Sequence, residues 1–501
     1  MRINETIKRK LRNWLEMDKG MNPLSIRIIE TMDFEANCFK NSIWYRGDPS
    51  ELHQFYTQFD DMMGNTRFWQ AVATNGVNFR KIHTGLPALI IDTLADITFD
   101  DMNTIEFNNL EAQELWEAIE KKLPEDFFKD SFKEAMYMGD GAVRFTYDSK
   151  ISKYPIPEFF PADMVDFKRD RGYLKAIIFK IPFVFKEREY LLKEIHTNHS
   201  IDYELWNPEG EKENILDFPE LADVKPLIHD AEFWTAVPII VGKSPKYKGR
   251  GKSLFDGKED AFDSFDEAYS QWIEALRDNR TKTFIPEQMI PKDPKNGLLL
   301  KPSPFDGRFI KIKGLTGTEG ASPNIDVEQG EIDDEGLLAS YNTALDQCLQ
   351  GLISPSTLGI DVKKLDNAEA QREKEKATIS TRNKIVRVAE KVIPQIIEAA
   401  LHIMDMVGYK PYREYEITIS FGEYANPSFE SVVETVGKAK QYGVMSNETV
   451  VDEMYGDSKD DDWKEKEVAR LNAIDGLNSK EPTINEFDDL GGVVPTEEDY
   501  E

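Results

Sequence analysis

The spacing of apolar positions along this chain changes several times. In KIHTGLPALIIDTLADITF (81–99), apolar residues recur at Ile82, Leu86, Leu89, Ile90 and Leu94, three and four apart. That period predicts a helix, within a first ~135 residues that are mostly helical in pattern. From 138 to 241 the period shortens toward two: GDGAVRFTYD, YLKAIIFKIPFVF and DYELW read as strands between turns, and VPIIVGKS closes the β-rich region.

A strongly two-faced helix follows in FDGKEDAFDSFDEAYSQWIEALRDNR, with Asp256 and Glu259 spaced as a capping box. Phe262, Phe265, Tyr269, Trp272 and Leu276 line one face. Glu259, Asp260, Asp263, Asp266, Glu267 and Glu274 fall on the other, so the helix is expected to pack sideways and show negative charge to water. After Thr281, six prolines and six glycines punctuate short β-like pieces, notably LLLK and RFIKIKG. This insert is too small for a deep core of its own. A second helix is predicted from Asp333 to Leu352, with Leu337, Leu338, Tyr341, Leu345, Cys348 and Leu349 in register. The two helices bracket the insert and are expected to be antiparallel neighbours.

ISPSTLGIDVKKLDNAEAQREKEKATISTRNKI (353–385) then begins as a loop carrying Lys363–Lys364 and continues as a helix from Asn367, with a capping-box pattern at Asp366 and Glu369. Its first turns have almost no apolar face. The pairs Glu369–Arg372 and Glu373–Lys376 support it by a few tenths of a kcal/mol each. An apolar stripe starts only at Ile385 and continues through Val388, Val392, Ile396, Ile397, Leu401 and Met404. Pro394 is expected to kink or split this helix. YEITISF reads as a strand, Asn426–Pro427 as a helix start, and further helices are expected from Asn447 and around DDDWKEKEVARL. The acidic end, KEPTINEFDDLGGVVPTEEDYE, is expected to be disordered.

Composition narrows the function. Of 501 residues 40% are apolar and 11% aromatic, enough for sizeable cores. The formal charge is −30, from 62 Lys+Arg against 92 Asp+Glu, which excludes a protein that grips nucleic acid over its whole surface but not one past which nucleic acid slides. Cys38 and Cys348 make no disulfide framework and fit a reducing compartment. No apolar run approaches the roughly 20 residues of a membrane span. MRINETIKRKLRNWLEMDKG lacks the apolar core of a secretory signal and reads as a short surface helix on Ile7, Leu11, Trp14 and Leu15, with Lys8, Arg9, Lys10 and Arg12 exposed. The chain is expected to be cytosolic and globular.

Candidate chemistry is sparse. VGKS (241–244) and RGKS (250–253) end like phosphate-binding loops, but the glycine such a loop needs falls at Val237 and Lys246. Arg46-Gly47-Asp48 and Gly139-Asp140-Gly141 read as turns, the latter between a helix and a strand. The six histidines show no metal-binding spacing and no GxSxG elbow occurs. The sequence therefore nominates no catalytic residue, no metal site and no cofactor: it does not read as an enzyme.

The order of segments resembles the portal proteins of tailed bacteriophages, in particular the long-tailed phages of Gram-positive hosts. The resemblance rests on WYRGDPSELHQFY (44–56), AMYMGDGAVRFTYD (135–148), GRGKSLFDGKEDAFDSFDEAYSQWIEALRDNRTK (249–282) and STLGIDVKKLDNAEAQREKEKATISTRNKI (356–385). It covers residues 40 to 475. It implies an α+β portal fold with a mixed α/β wing (1–257), stem helices at 258–281 and 333–352, and a small α/β clip at 282–332. A tunnel loop (353–366), a long kinked helix with a wing return strand (367–425), a helical crown (426–475) and an acidic tail (476–501) complete it. Lys363, Lys364 and Asp361 of the tunnel loop would face the DNA channel, as would the six stem carboxylates. Arg308, Lys311 and Lys313 of the clip would contact the terminase or an adaptor. The implied function is a ring of twelve subunits at one capsid vertex, through which double-stranded DNA is packaged and ejected. The implied partners are the terminase large subunit, the major capsid and scaffolding proteins and a head-completion adaptor, with no membrane; assembly would take place in the host cytoplasm. The competing reading is a non-viral oligomeric scaffold without catalysis.

Overall fold

The computed structural model describes residues 32–63, 68–71, 80–222, 224–229, 232–279, 282–286, 294, 309–312, 326–328, 332–360, 368–422, 429–455 and 461–478. The chain divides into two units, 1–361 with 375–422, and 362–374 with 423–501.

The first unit opens with α1 (Phe34–Arg46) and α2 (Pro49–Met63). Asp33 caps α1 by accepting the Ala36 N–H at 2.8 Å. Gly47, at φ 69°, ends it in the left-handed conformation, so Arg46-Gly47-Asp48 is a helix-terminating turn. Then come α3 (Leu86–Phe99), β1 (Glu106–Phe107), α4 (Leu110–Glu120) and α5 (Phe127–Met138). Their inward faces bury Trp44, Leu52, Ile90, Leu94, Trp116 and Phe132 in one large core.

The period-two region forms β2 (Asp140–Thr146), β3 (Ile156–Pro161), β4 (Val165–Asp170), β5 (Tyr173–Phe185), β6 (Arg188–His196), β7 (Ser200–Trp206), β8 (Lys212–Glu213), β9 (Leu227–Ile228) and β10 (Ala236–Ile240). One antiparallel sheet runs β10-β2-β3 and another β4-β5-β6-β7-β8, with β9 added to β7. β2 is buried along nearly its whole length, as a central strand covered on both faces must be. Its Val143 faces Val237 and Phe159 across the two ladders.

α6 (Glu259–Asp278), β11 (Lys282–Pro286), β12 (Phe309–Ile312), β13 (Asp326–Glu328) and α7 (Asp334–Leu349) follow. β11 pairs in parallel with β12 and antiparallel with β13, placing Lys282 opposite Glu328. The chain therefore leaves α6 and returns toward α7 through this sheet. The capping box expected at Asp256 is displaced, because α6 starts at Glu259 with Lys258 as its N-cap. Asp256 instead takes the Asn37 Nδ2 at 3.0 Å and the Ser253 N–H at 3.1 Å.

The long helix α8 (Ala368–Val407) is not split at Pro394. Ile393, Ile396 and Ile397 are buried around the proline, and that packing outweighs the one backbone hydrogen bond it removes. The polar stretch before the stripe is not uniformly solvated: Glu375, Thr378, Thr381 and Arg382 are buried. Thr378 Oγ1 accepts the Ser354 N–H at 2.8 Å, and Arg382 donates to Ile97 O, Gly422 O and Asp101. The strand expected in YEITISF shrinks to β14 (Ile417–Thr418), paired with β1, and a bridge from Phe421 to Met102.

In the second unit, α9 (Phe429–Gln441), α10 (Asn447–Tyr455) and α11 (Asp461–Asn478) pack in sequence order. Val450 and Val451 are buried, Tyr455 meets Trp463 edge-on at 4.8 Å, and Asp452 pairs with Lys464 at 2.8 Å. The helix starts expected at Asn367 and Asn426, the N-terminal helix at 7–15 and the acidic end beyond 478 lie outside the described residues.

Candidate functional site

α6 and α7 form an antiparallel pair. Lys258, at the start of α6, donates to Gln347 O and Gln350 O at the end of α7, at 2.7 and 2.8 Å. Along the contact, the Tyr341 ring lies 5.0 Å from Phe265, 5.5 Å from Trp272 and 6.2 Å from Tyr269. Phe262 and Phe265 continue into the main core beside Trp44, and Leu345, Cys348 and Leu349 join them from α7. Farther along, Leu276 and Leu338 are 48% and 46% exposed, so the far half of the pair carries uncovered apolar surface.

The carboxylates of α6 do not all face water. Asp263 and Asp266 are buried, at 6% and 1% exposure. Asp263 accepts the Trp69 and Gln70 N–H groups at 2.6 and 3.1 Å. Asp266 accepts the Thr84 N–H and hydroxyl at 3.0 and 2.9 Å, and sits 2.7 Å from His83 Nδ1. Glu259 is drawn into an ion pair with the mostly buried Lys40. Ser270 extends the row by accepting the Ile82 N–H at 2.9 Å. These residues fasten α6 to the segments around 69–71 and 80–85. The expectation of a solvent-facing acidic stem fails for Glu259, Asp263 and Asp266. Asp260 is exposed, while Glu267 and Glu274 are half-buried. Glu274 pairs with Arg277 at 3.2 Å.

The helical wheel held the signal for this. At about 100° per residue, Asp266, Glu259, Ser270 and Asp263 lie within roughly 40–100° of Phe262, along the border of the apolar arc. A polar row at that border is buried whenever another segment lies against it. Burial pushes the Asp263 carboxyl up to about 6, with Asp266 and Glu267 acting in the same direction and the two backbone N–H groups opposing them. Lys81 donates to Trp69 O and Gln70 O at 2.6 and 2.7 Å, and desolvation pulls its amine down to about 8.

A second anchor joins the two glycine-bearing motifs. Asp140 is fully buried and receives Arg250 through both carboxylate oxygens, at 2.8 and 3.1 Å, plus the Gly251 N–H at 2.6 Å. Arg250 also donates to Ala162 O and Val165 O. A Cβ at Gly251 would stand 2.0 Å from Gly139 O, so this backbone crossing requires glycine. The RGKS stretch is thus a structural clasp. Burial raises the Asp140 carboxyl, against the pull of Arg250. Sequence reading missed the pair because 110 residues separate its members.

The sequence profile described as "Phage portal protein, SPP1 Gp6-like" matches residues 36–475. The chain belongs to this portal protein family. No curated protein matches it. Among solved structures, it is similar to a chain of the "Neck of native GTA particle computed with C12 symmetry", at 14% identity and a TM-score of 0.38, over 74% of this chain and 89% of that one.

Portal proteins are structural components, and membership implies a homo-oligomeric ring at the capsid vertex of a virion, with phage head and tail components as partners. Among the described residues, no group of three or more His, Cys, Asp or Glu is placed to hold a metal ion, and no helix is long and apolar enough to cross a membrane. Lys311 lies on β12, in parallel register with Ile285. Asp361, Lys363, Lys364, Arg308 and Lys313 lie outside the described residues.

Proposed function

We propose that twelve copies of this portal protein form the DNA conduit at one capsid vertex, through which the terminase motor packages double-stranded DNA and from which it is later ejected. The supporting observation is the family match across residues 36–475, together with the order of α6, small sheet and α7 inside it. In this reading α6 and α7 are the stem, the sheet between them is the clip, and residues 353–366 are the tunnel loop. Arg308, Lys311 and Lys313 of the clip meet the terminase large subunit or a head-completion adaptor. The major capsid and scaffolding proteins surround the ring, and assembly takes place in the host cytoplasm.

A channel that passes DNA must not hold it. Carboxylates at the wall repel phosphates, and a few lysines at the constriction touch them briefly without strong retention. Of the six stem carboxylates, Asp260, Glu267 and Glu274 are left for the wall, and Lys363 and Lys364 take the constriction, with Asp361 beside them. The exposed Leu276 and Leu338 suit contact with a neighbouring subunit. Replacing Lys363 and Lys364 together with glutamate is expected to leave rings intact and to impair packaging or DNA retention. Unchanged packaging by that double variant removes the loop from the mechanism.

A further inference from the structure

Two stretches of this acidic chain concentrate positive charge. Residues 165–175 and 243–252 carry nine lysines and arginines against two aspartates, within a chain of formal charge −30. The two stretches are neighbours. Arg250 Nη1 donates to Val165 O at 2.6 Å, and a Cβ at Gly249 would lie 3.7 Å from Arg169 Cδ.

The two aspartates within these stretches are already engaged: Asp166 with Arg250 and Lys180, both at 3.0 Å, and Asp170 with Lys175 at 2.9 Å. Lys168, Arg169, Arg171, Lys243, Lys248 and Lys252 are exposed and form no ion pair among the described residues. Both stretches are also held in shape. β4 and β5 join through Arg171 and Gly172, both at positive φ, and a bridge between Lys243 and Gly251 closes the second loop above the buried Arg250–Asp140 pair. Cations fixed on such a frame lose little backbone entropy when an anion binds.

We propose that this surface binds the phosphate backbone of double-stranded DNA without sequence preference. An acidic protein is the weaker fit, because tight protein interfaces centre on dry apolar anchors. Among the described residues of these stretches the one exposed large apolar side chain is Tyr173. The partner class is the one invoked for the conduit, but the residues are different, so the two sites are tested separately.

The test measures affinity of the full-length protein for a random-sequence duplex across a salt series. The variants are R169Q/R171Q/K248Q, K363E/K364E and, as a control in the turn after α4, K121E/K122E. The basic-surface variant is expected to bind at least tenfold more weakly and to flatten the log–log salt slope by about 3, near 0.9 per lost phosphate contact. The control is expected to match the wild type. Lysine acetylation of the wild-type assembly gives a readout independent of any variant, with Lys168, Lys243, Lys248 and Lys252 shielded only when DNA is present. Equal acetylation with and without DNA overturns the proposal. So does shielding already complete in the DNA-free assembly, which marks a subunit contact instead. Binding lost in K363E/K364E alone also overturns it, while leaving the conduit reading in place.

Discussion

Asp263 holds its proton up to about pH 6 because the fold takes its carboxyl out of water beside Asp266 and Glu267. The folded chain therefore binds this proton more tightly than the unfolded chain, whose carboxyl titrates near its ordinary 3.8. The resulting stabilisation is fully present below about pH 4 and is lost as pH rises through 6. D263N has no such titration. The stability of the wild type relative to D263N is expected to fall by about 2–3 kcal/mol between pH 4 and 7. Denaturant unfolding at several pH values reads this directly, and a difference independent of pH would show that the carboxyl is not desolvated. The partners of Asp263 and Asp266 lie more than 180 residues away in sequence, so their charge suggested solvent where the fold supplies donors. Only their position at the border of the apolar arc pointed the other way.

At the scale of elements, the α6–α7 pair rests on an aromatic cluster centred on Tyr341. Its apolar spacing was plain in the sequence, since Phe262, Phe265, Tyr269 and Trp272 recur with helical period. Where the helices begin was less plain. Two turns joining 253 to 258 replace the capping box that Asp256 and Glu259 suggested. Tyr341→Ala removes ring contacts to three α6 side chains and is expected to cost about 2–3 kcal/mol. Hydrogen exchange should rise in 265–278 and 334–343 while α3 and α5 stay protected. Equal loosening of all four segments would mean that the pair is not a separate cooperative element. α8 gives the complementary lesson. Its first turns look solvated because they lack apolar residues, yet Thr378, Thr381 and Arg382 are buried. Arg382 meets carbonyl groups of Ile97 and Gly422, contacts that no periodicity foretells.

For the whole molecule, the strong acidic excess suits the proposed conduit, which must pass DNA without holding it. The segment order alone carries the family resemblance, because helix, insert and returning helix differ sharply in period and in proline and glycine content. Two buried clasps, Asp140–Arg250 between β2 and the 250–251 loop and the α6 carboxylates against 69–71 and 80–85, join distant parts of the chain, and the sequence showed neither as a pair. Leu276 and Leu338 are among the apolar side chains left uncovered, and they lie on the α6–α7 pair. The most direct test is electron microscopy of the purified full-length protein and of the assembled particle vertex. Closed rings of cyclic symmetry with an axial channel, twelve-fold in the particle, are expected. Protein that stays monomeric at every salt and concentration tried, or rings without an axial opening, would contradict the conduit reading.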